Sequence, residues 1–169
     1  YSTEILNSLG ENVTKNTFDD LFDYLIEGEA ENFALQLQQL LKAIVSVYDT
    51  ANKESFYHGF MLGMTALFLE KDYNVVSNRE SGYGRFDLAI LPKDKDDVGV
   101  IMEFKVAVNE VELQEKANEA LRQIETQEYI TEFQTRGIHD VWKYGIAFYK
   151  KKVAVVRAGN GSEGNCCEI

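Results

Sequence analysis

The sequence predicts an α/β fold, a central mixed sheet flanked by helices, and three observations carry that reading. Apolar residues recur at helical spacing as far as Lys71. From Tyr73 they alternate with the period of a strand. A second helical stretch, Glu110 to Thr131, then separates two groups of strands.

The first segment, residues 17–48, reads as helical, with Phe33, Leu37, Leu40, Leu41 and Ile44 on one face. Asn52 or Ser55 can cap the next helix, which carries Phe60, Met64, Leu67 and Phe68 and ends near Lys71. Tyr73–Ser77 is a short strand, and Asn78–Gly84, with two glycines, is a turn. Arg85–Leu91 and Val98–Val108 are strands joined by a polar loop that starts at Pro92. The helix that follows carries Leu113, Ala117, Ala120, Leu121 and Ile124, and the strands Tyr144–Tyr149 and Val153–Arg157 close the fold. The expected organisation is a helical lead-in over residues 1–50 packed on the core, a main domain over 51–158, and a flexible Gly/Ser/Asn tail over 159–169.

Composition narrows the function classes. A chain of 169 residues with 45% hydrophobic content and one proline fits a single globular domain with its own core. No apolar run reaches the roughly 18 residues of a membrane helix, and the first residues lack the pattern of a signal peptide. The start at Tyr1 rather than Met suggests a piece of a longer protein. Cys166 and Cys167 are adjacent, which makes neither a disulfide framework nor a zinc spacing, so a reducing, cytoplasmic setting is expected. The net charge of -11 argues against tight non-specific binding of nucleic acid. It is unevenly spread: residues 1–50 hold 9 acids and 2 bases, whereas the remainder holds 19 acids and 15 bases.

The chemistry starts at Glu103-Phe-Lys105. Acid-x-Lys is a weak motif, and with 28 acids in the chain about two chance matches are expected. Its bland reading is a surface salt pair. The context is more specific. In Val98–Val108 one face is wholly apolar, while Glu103 and Lys105 share the other with Gly99, Ile101 and Ala107. In the preceding strand Phe86, Leu88 and Ile90 form one face, and Arg85, Asp87, Ala89 and Leu91 form the other. Matching the apolar faces of a hairpin pairs Ile90 with Val100, Leu88 with Met102 and Phe86 with Phe104. That register sets Asp87 opposite Glu103, a like-charge pair that is destabilising unless a cation sits between the two. Lys105 and Arg85 are candidates, and a divalent metal is the better one. Two adjacent carboxylates suit the oxygen preference of Mg²⁺, and a lysine on the same face can orient water or stabilise phosphoryl oxygens. Together they suit phosphodiester hydrolysis.

These features resemble the PD-(D/E)XK nuclease superfamily. The matching segments are Glu54-Ser-Phe-Tyr-His58, Gly82-Tyr-Gly-Arg-Phe-Asp87, Glu103-Phe-Lys105, Ala120-Leu-Arg-Gln123-Ile-Glu-Thr-Gln-Glu-Tyr129 and Tyr144-Gly-Ile-Ala-Phe148. More narrowly, the chain is similar to the branch found C-terminal to AAA-type ATPase-like domains. The resemblance implies a restriction-endonuclease-like core with Mg²⁺ or Mn²⁺ as cofactor and a nucleic acid, DNA, as partner. It also implies an N-terminal ATPase-like domain in the same full-length protein. It makes Asp87, Glu103 and the Phe104 carbonyl metal ligands and Lys105 the catalytic lysine. Glu54 completes the acidic cluster, and Gln123 supports the site or touches substrate. One departure is Phe86, which stands where the superfamily's name has proline.

Other residues carry weaker signals. His58 lies one helical turn after Glu54 and reads as a packed or supporting residue with a possible substrate contact. Arg85 can reach a phosphate or neutralise the acids. Tyr129 and Trp142 read as core, and Lys150–Lys152 as a solvated edge turn. Two functions stand side by side: a metal-dependent nuclease, and a catalytically silent nucleic-acid- or protein-binding module on the same fold. A nucleotide-binding domain is disfavoured because neither GxxxxGK[ST] nor GxGxxG is present.

Overall fold

The computed structural model describes residues 15–45, 53–77, 80–81, 84–126 and 129–159. The proposed Asn52 cap, most of the Asn78–Gly84 turn and the tail beyond Gly159 lie outside these residues.

The helical segment expected over 17–48 consists of two helices, α1 (Lys15–Glu27) and α2 (Ala30–Ile44). Gly28 makes the break. It adopts φ +81°, which a side chain rarely tolerates, and the Glu29 amide donates back to the Tyr24 carbonyl at 2.8 Å, the 6→1 bond of a glycine-terminated helix. Helix α3 (Lys53–Thr65) tightens into a 3₁₀ segment over Ala66–Lys71, so Ser55 sits within the helix rather than at its cap. Strand β1 (Tyr73–Ser77) follows as expected.

The expected strand Arg85–Leu91 is divided. Glu80–Ser81 (β2) and Gly84–Arg85 (β3) form a separate two-stranded hairpin, and β4 runs only over Leu88–Pro92. Strands β5 (Gly99–Val106), β6 (Val141–Tyr149) and β7 (Lys152–Ala158) complete a five-stranded sheet in the order β1-β4-β5-β6-β7. β5 and β6 are parallel and all other neighbours antiparallel, so the sheet is mixed. The parallel pair requires a crossover, supplied by α4 (Leu113–Thr126) and the short α5 (Thr131–Thr135). Asn109 opens that crossover: its Oδ1 accepts the Glu112 amide at 3.1 Å while its Nδ2 donates to Glu112 Oε1 at 2.8 Å, a reciprocal cap.

Helices cover both sheet faces. On one, Leu88, Ile90, Val100, Met102, Phe104, Tyr144, Ile146 and Phe148 join the apolar sides of α1, α2 and α3 in a single core. Two side chains of β6 also hold the end of α1: Tyr144 Oη donates to the Leu25 carbonyl and Trp142 Nε1 to the Ile26 carbonyl, each at 2.8 Å. Trp142 is thus half-buried and stacked under Arg157 rather than fully in the core. On the other face α4 and α5 pack over Ala89, Leu91, Ile101, Ala107 and Ala147. Gly145 lets α4 approach: a Cβ there would lie 2.1 Å from the Ala117 carbonyl oxygen and 2.5 Å from the Leu121 nitrogen.

Candidate active site

The hairpin register pairs Ile90 with Val100 and Leu88 with Met102, as the apolar faces required. The expected pairing of Phe86 with Phe104 does not form, because the ladder ends at Leu88 and Met102. Asp87 is a bend just outside it. Its Oδ2 accepts the Phe104 amide at 2.8 Å, so a side chain takes the hydrogen bond that a continuing strand would have supplied. The bend also reverses the alternation of side chains. Phe86 therefore turns to the face opposite Leu88 and Ile90 and packs with Ala89, Leu91 and Tyr129, its ring 6.1 Å from that of Tyr129.

β5 carries Glu103 and Lys105 toward α4. Glu103 is 3% exposed, an unusual burial for a carboxylate. Its Oε1 accepts from Lys105 Nζ at 3.3 Å and from Gln123 Nε2 at 2.5 Å. Gln123 Oε1 in turn accepts from Lys105 Nζ at 2.6 Å, and Gln123 Nε2 also donates to Tyr129 Oη at 3.2 Å. The amide of Gln123 is thereby fixed in orientation: its oxygen faces the ammonium, its nitrogen the carboxylate and phenol. The Gly145 contact makes this reach geometrically natural. Gly145 is the β6 neighbour of Glu103, and α4 touches the sheet there half a turn before Gln123.

Glu103 Oε2, in contrast, is buried with no hydrogen-bond partner among the described residues. The electrostatics agree with that geometry. Burial, then the neighbouring Asp87 charge, push the Glu103 carboxyl up to about 7, against the opposing pull of Lys105 and of the Asp87 backbone N–H. Burial also raises Asp87, although the Phe104 amide, His58 and Lys105 work in the other direction. A buried acid lifted to neutrality beside a second acid is a common signature of a functional site.

The remaining expected residues are placed unequally. Glu54 is exposed on the first turn of α3, and its charge is felt at Asp87, which it raises slightly. Among the described residues it does not close a three-carboxylate group with Asp87 and Glu103, and no group of three or more His, Cys, Asp or Glu forms a metal-holding cluster. His58 Nε2 lies 3.1 Å from the Asp87 carbonyl and 3.1 Å from Ser77 Oγ. The Arg85 side chain lies outside the described residues. Sequence reasoning missed Ser77 altogether and gave Tyr129 only to the core. Tyr129 is buried as expected, but its hydroxyl ends the Gln123 chain; its spacing six residues after Gln123 gave no sign of this. The basic turn at Lys150 lies at the surface, as expected, where Lys151 Nζ donates to the Lys42 carbonyl at 3.3 Å and Lys152 pairs with Glu110.

A concavity of about 280 Å³ opens at the far end of β4 beside Asn74, Pro92, Lys93, Lys95, Arg136 and Ile138. Two of its three cations are paired, Lys93 with Asp72 and Arg136 with Glu132. It contains none of the carboxylates described above.

A family model described as the PD-(D/E)XK nuclease superfamily matches residues 52–158, well over half of the chain. The chain belongs to the PD-(D/E)XK nuclease superfamily. Members of this superfamily are generally nucleases that use divalent metals, and the mixed sheet with helices on both faces is the restriction-endonuclease-like architecture. The match begins after α1 and α2 and spans Asp87, Glu103, Lys105 and Gln123. No curated protein matches the chain. Among the described residues no helix is long and apolar enough to cross a membrane.

Proposed function

We propose that this chain is a divalent-metal-dependent nuclease that hydrolyses phosphodiester bonds of DNA at Asp87, Glu103 and Lys105. The observation that carries the proposal is Glu103 Oε2, a buried carboxylate oxygen that meets no close hydrogen-bond partner among the described residues, beside a second carboxylate. An unpaired buried polar atom costs about 1–3 kcal/mol, more when charged, and a cation seated between the two acids removes that cost. The donor set fits Mg²⁺ or Mn²⁺, which take oxygen ligands and keep places for water and phosphate.

In this reading Asp87 Oδ1 and Glu103 Oε2 hold the metal, because Oδ2 and Oε1 are already engaged. The Phe104 carbonyl is the third ligand. Within a strand the N–H and C=O of one residue project to the same side, and the Phe104 N–H points at Asp87. Bound metal would neutralise charge on the phosphoryl oxygens and activate water. Lys105 donates to the attacking water or to the phosphoryl oxygens, held in place by Gln123 and Glu103. Glu54, exposed at the rim, adds its charge to the acidic cluster, and Arg85 contacts phosphate. The expected substrate contact from His58 is considered below. An N-terminal ATPase-like domain of the same full-length protein belongs to the proposal through the sequence resemblance. So do the division into lead-in 1–50, nuclease unit 51–158 and tail 159–169, and a cytoplasmic setting.

The test is calorimetric titration of Mn²⁺ and Mg²⁺ into the wild type and into the double variant Asp87→Asn/Glu103→Gln, followed by cleavage of labelled DNA. Binding and cleavage in the wild type that vanish in the double variant support the proposal. Nucleic-acid binding with neither metal binding nor cleavage would replace it with the silent binding module.

A further inference from the structure

Asp87 is held in an unusual way. It lies just beyond the ends of both ladders that flank β4, which stop at Ser77–Leu88 on one side and Leu88–Met102 on the other. Among the described residues the sheet provides no backbone pairing for Asp87. Hydrogen bonds from outside the ladder hold it. Its side chain is fixed by the Phe104 amide at 2.8 Å, and its carbonyl lies 3.1 Å from His58 Nε2. A carbonyl oxygen can only accept, so Nε2 carries a proton, shared with Ser77 Oγ, also 3.1 Å away. His58 comes from α3 and Ser77 from the last residue of β1, so the contact ties a helix and a strand to the Asp87 bend.

We infer that His58 is a positioning residue, whose Nε2–H fixes the Asp87 peptide so that Oδ2 meets the Phe104 amide and Oδ1 is aimed into the site. The inference deepens the proposed function and rests on its reading of Asp87 as a metal ligand. It assigns His58 a role through Asp87 instead of a contact with substrate. An outer residue of this kind acts on metal affinity and turnover, commonly by about 10–100-fold, because it controls the ligand's orientation.

The test compares His58→Leu, which removes the donor, with His58→Gln, whose Nε2–H lies at similar reach. Three quantities are read: hydrogen exchange of the Phe104 amide, Mn²⁺ affinity, and kcat and KM for DNA cleavage. Expected for His58→Leu are faster Phe104 exchange, Mn²⁺ binding weakened about tenfold or more, and a fall in kcat with KM nearly unchanged. His58→Gln should recover most of each. Unchanged Phe104 exchange in a folded Leu variant would overturn the inference. So would a raised KM with kcat and metal affinity intact, the pattern of a substrate contact. Faster Phe104 exchange with a wild type that neither binds Mn²⁺ nor cleaves DNA would support the tether while overturning the nuclease reading. If the Leu variant does not fold, His58→Asn, polar but too short to reach, is judged by the same criteria.

Discussion

Replacing Glu103 by Gln keeps the shape of the side chain and removes its titration, which makes it a quantitative probe of the buried site. A carboxyl with an ordinary value of 4.5 that stands at about 7 in the folded chain binds its proton more tightly folded than unfolded. Below the unfolded value both states hold the proton and the residue adds no pH-dependent penalty. As pH rises, the unfolded chain releases it first, so stability falls and the full penalty is reached above about 7. Some two and a half pH units at about 1.4 kcal/mol each give about 3–4 kcal/mol, of which about 3 kcal/mol falls between pH 4.5 and pH 8. Because the side chain is only 4% exposed, solvent screening reduces this little. Urea unfolding in EDTA at pH 4.5 and pH 8 should therefore show the wild type losing about 3 kcal/mol more than Glu103→Gln over that interval. Asp87, raised in the same direction, titrates in both proteins, and its coupling to Glu103 is part of the difference that is measured. Adding Mn²⁺ at pH 8 should stabilise the wild type and leave the Gln variant almost unaffected. Parallel pH profiles for the two proteins would refute the reasoning, since a buried carboxylate under this electrostatic load cannot be silent.

Other perturbations address separate parts of the structure. Asp87→Ala should abolish cleavage, and Lys105→Ala should lower it at least about a hundredfold while far-UV dichroism stays native. Gly145→Ala forces a Cβ against the backbone of α4 and should destabilise the chain by about 1–3 kcal/mol or more, seen as a lowered urea midpoint. Because α4 carries Gln123, the same variant should lose activity beyond what its folded fraction explains. Tyr144→Phe leaves the Leu25 carbonyl without its donor and should cost about 1–3 kcal/mol in urea unfolding, with metal affinity unchanged.

Much of this fold was legible because period and burial coincide. The two pairs of the β4–β5 hairpin followed from matching apolar faces, and that register brought Asp87 near Glu103. The failures occur where a local interaction overrides the pattern. Alternation predicted that Phe86 would share a face with Leu88, but the Asp87 side chain captures the Phe104 amide and bends the chain between them. Reading residues 17–48 as helical passed over Gly28, although glycine is the residue that ends a helix in the left-handed region. Glu103, Lys105 and Gln123 were readable as a group, from the strand pair and from resemblance. The Ser77–His58–Asp87 link was not. It joins residues 19 and 29 positions apart through a carbonyl oxygen, and no spacing rule encodes a backbone acceptor.

The bonds from Tyr144 and Trp142 to the final carbonyls of α1 bear on how this chain can be shortened. The superfamily match starts at residue 52, which invites a trimmed version beginning there. Such a truncation would leave a phenol and an indole nitrogen of β6 without acceptors. It would also uncover the side of the sheet on which Phe22, Phe33, Leu37 and Leu41 are packed, an exposed apolar area of the sort that drives aggregation. Recombinant protein starting at 52 should partition into inclusion bodies, whereas protein that keeps residues 15–44 should stay in solution. The boundary drawn by similarity and the boundary drawn by solvent are thus about 37 residues apart.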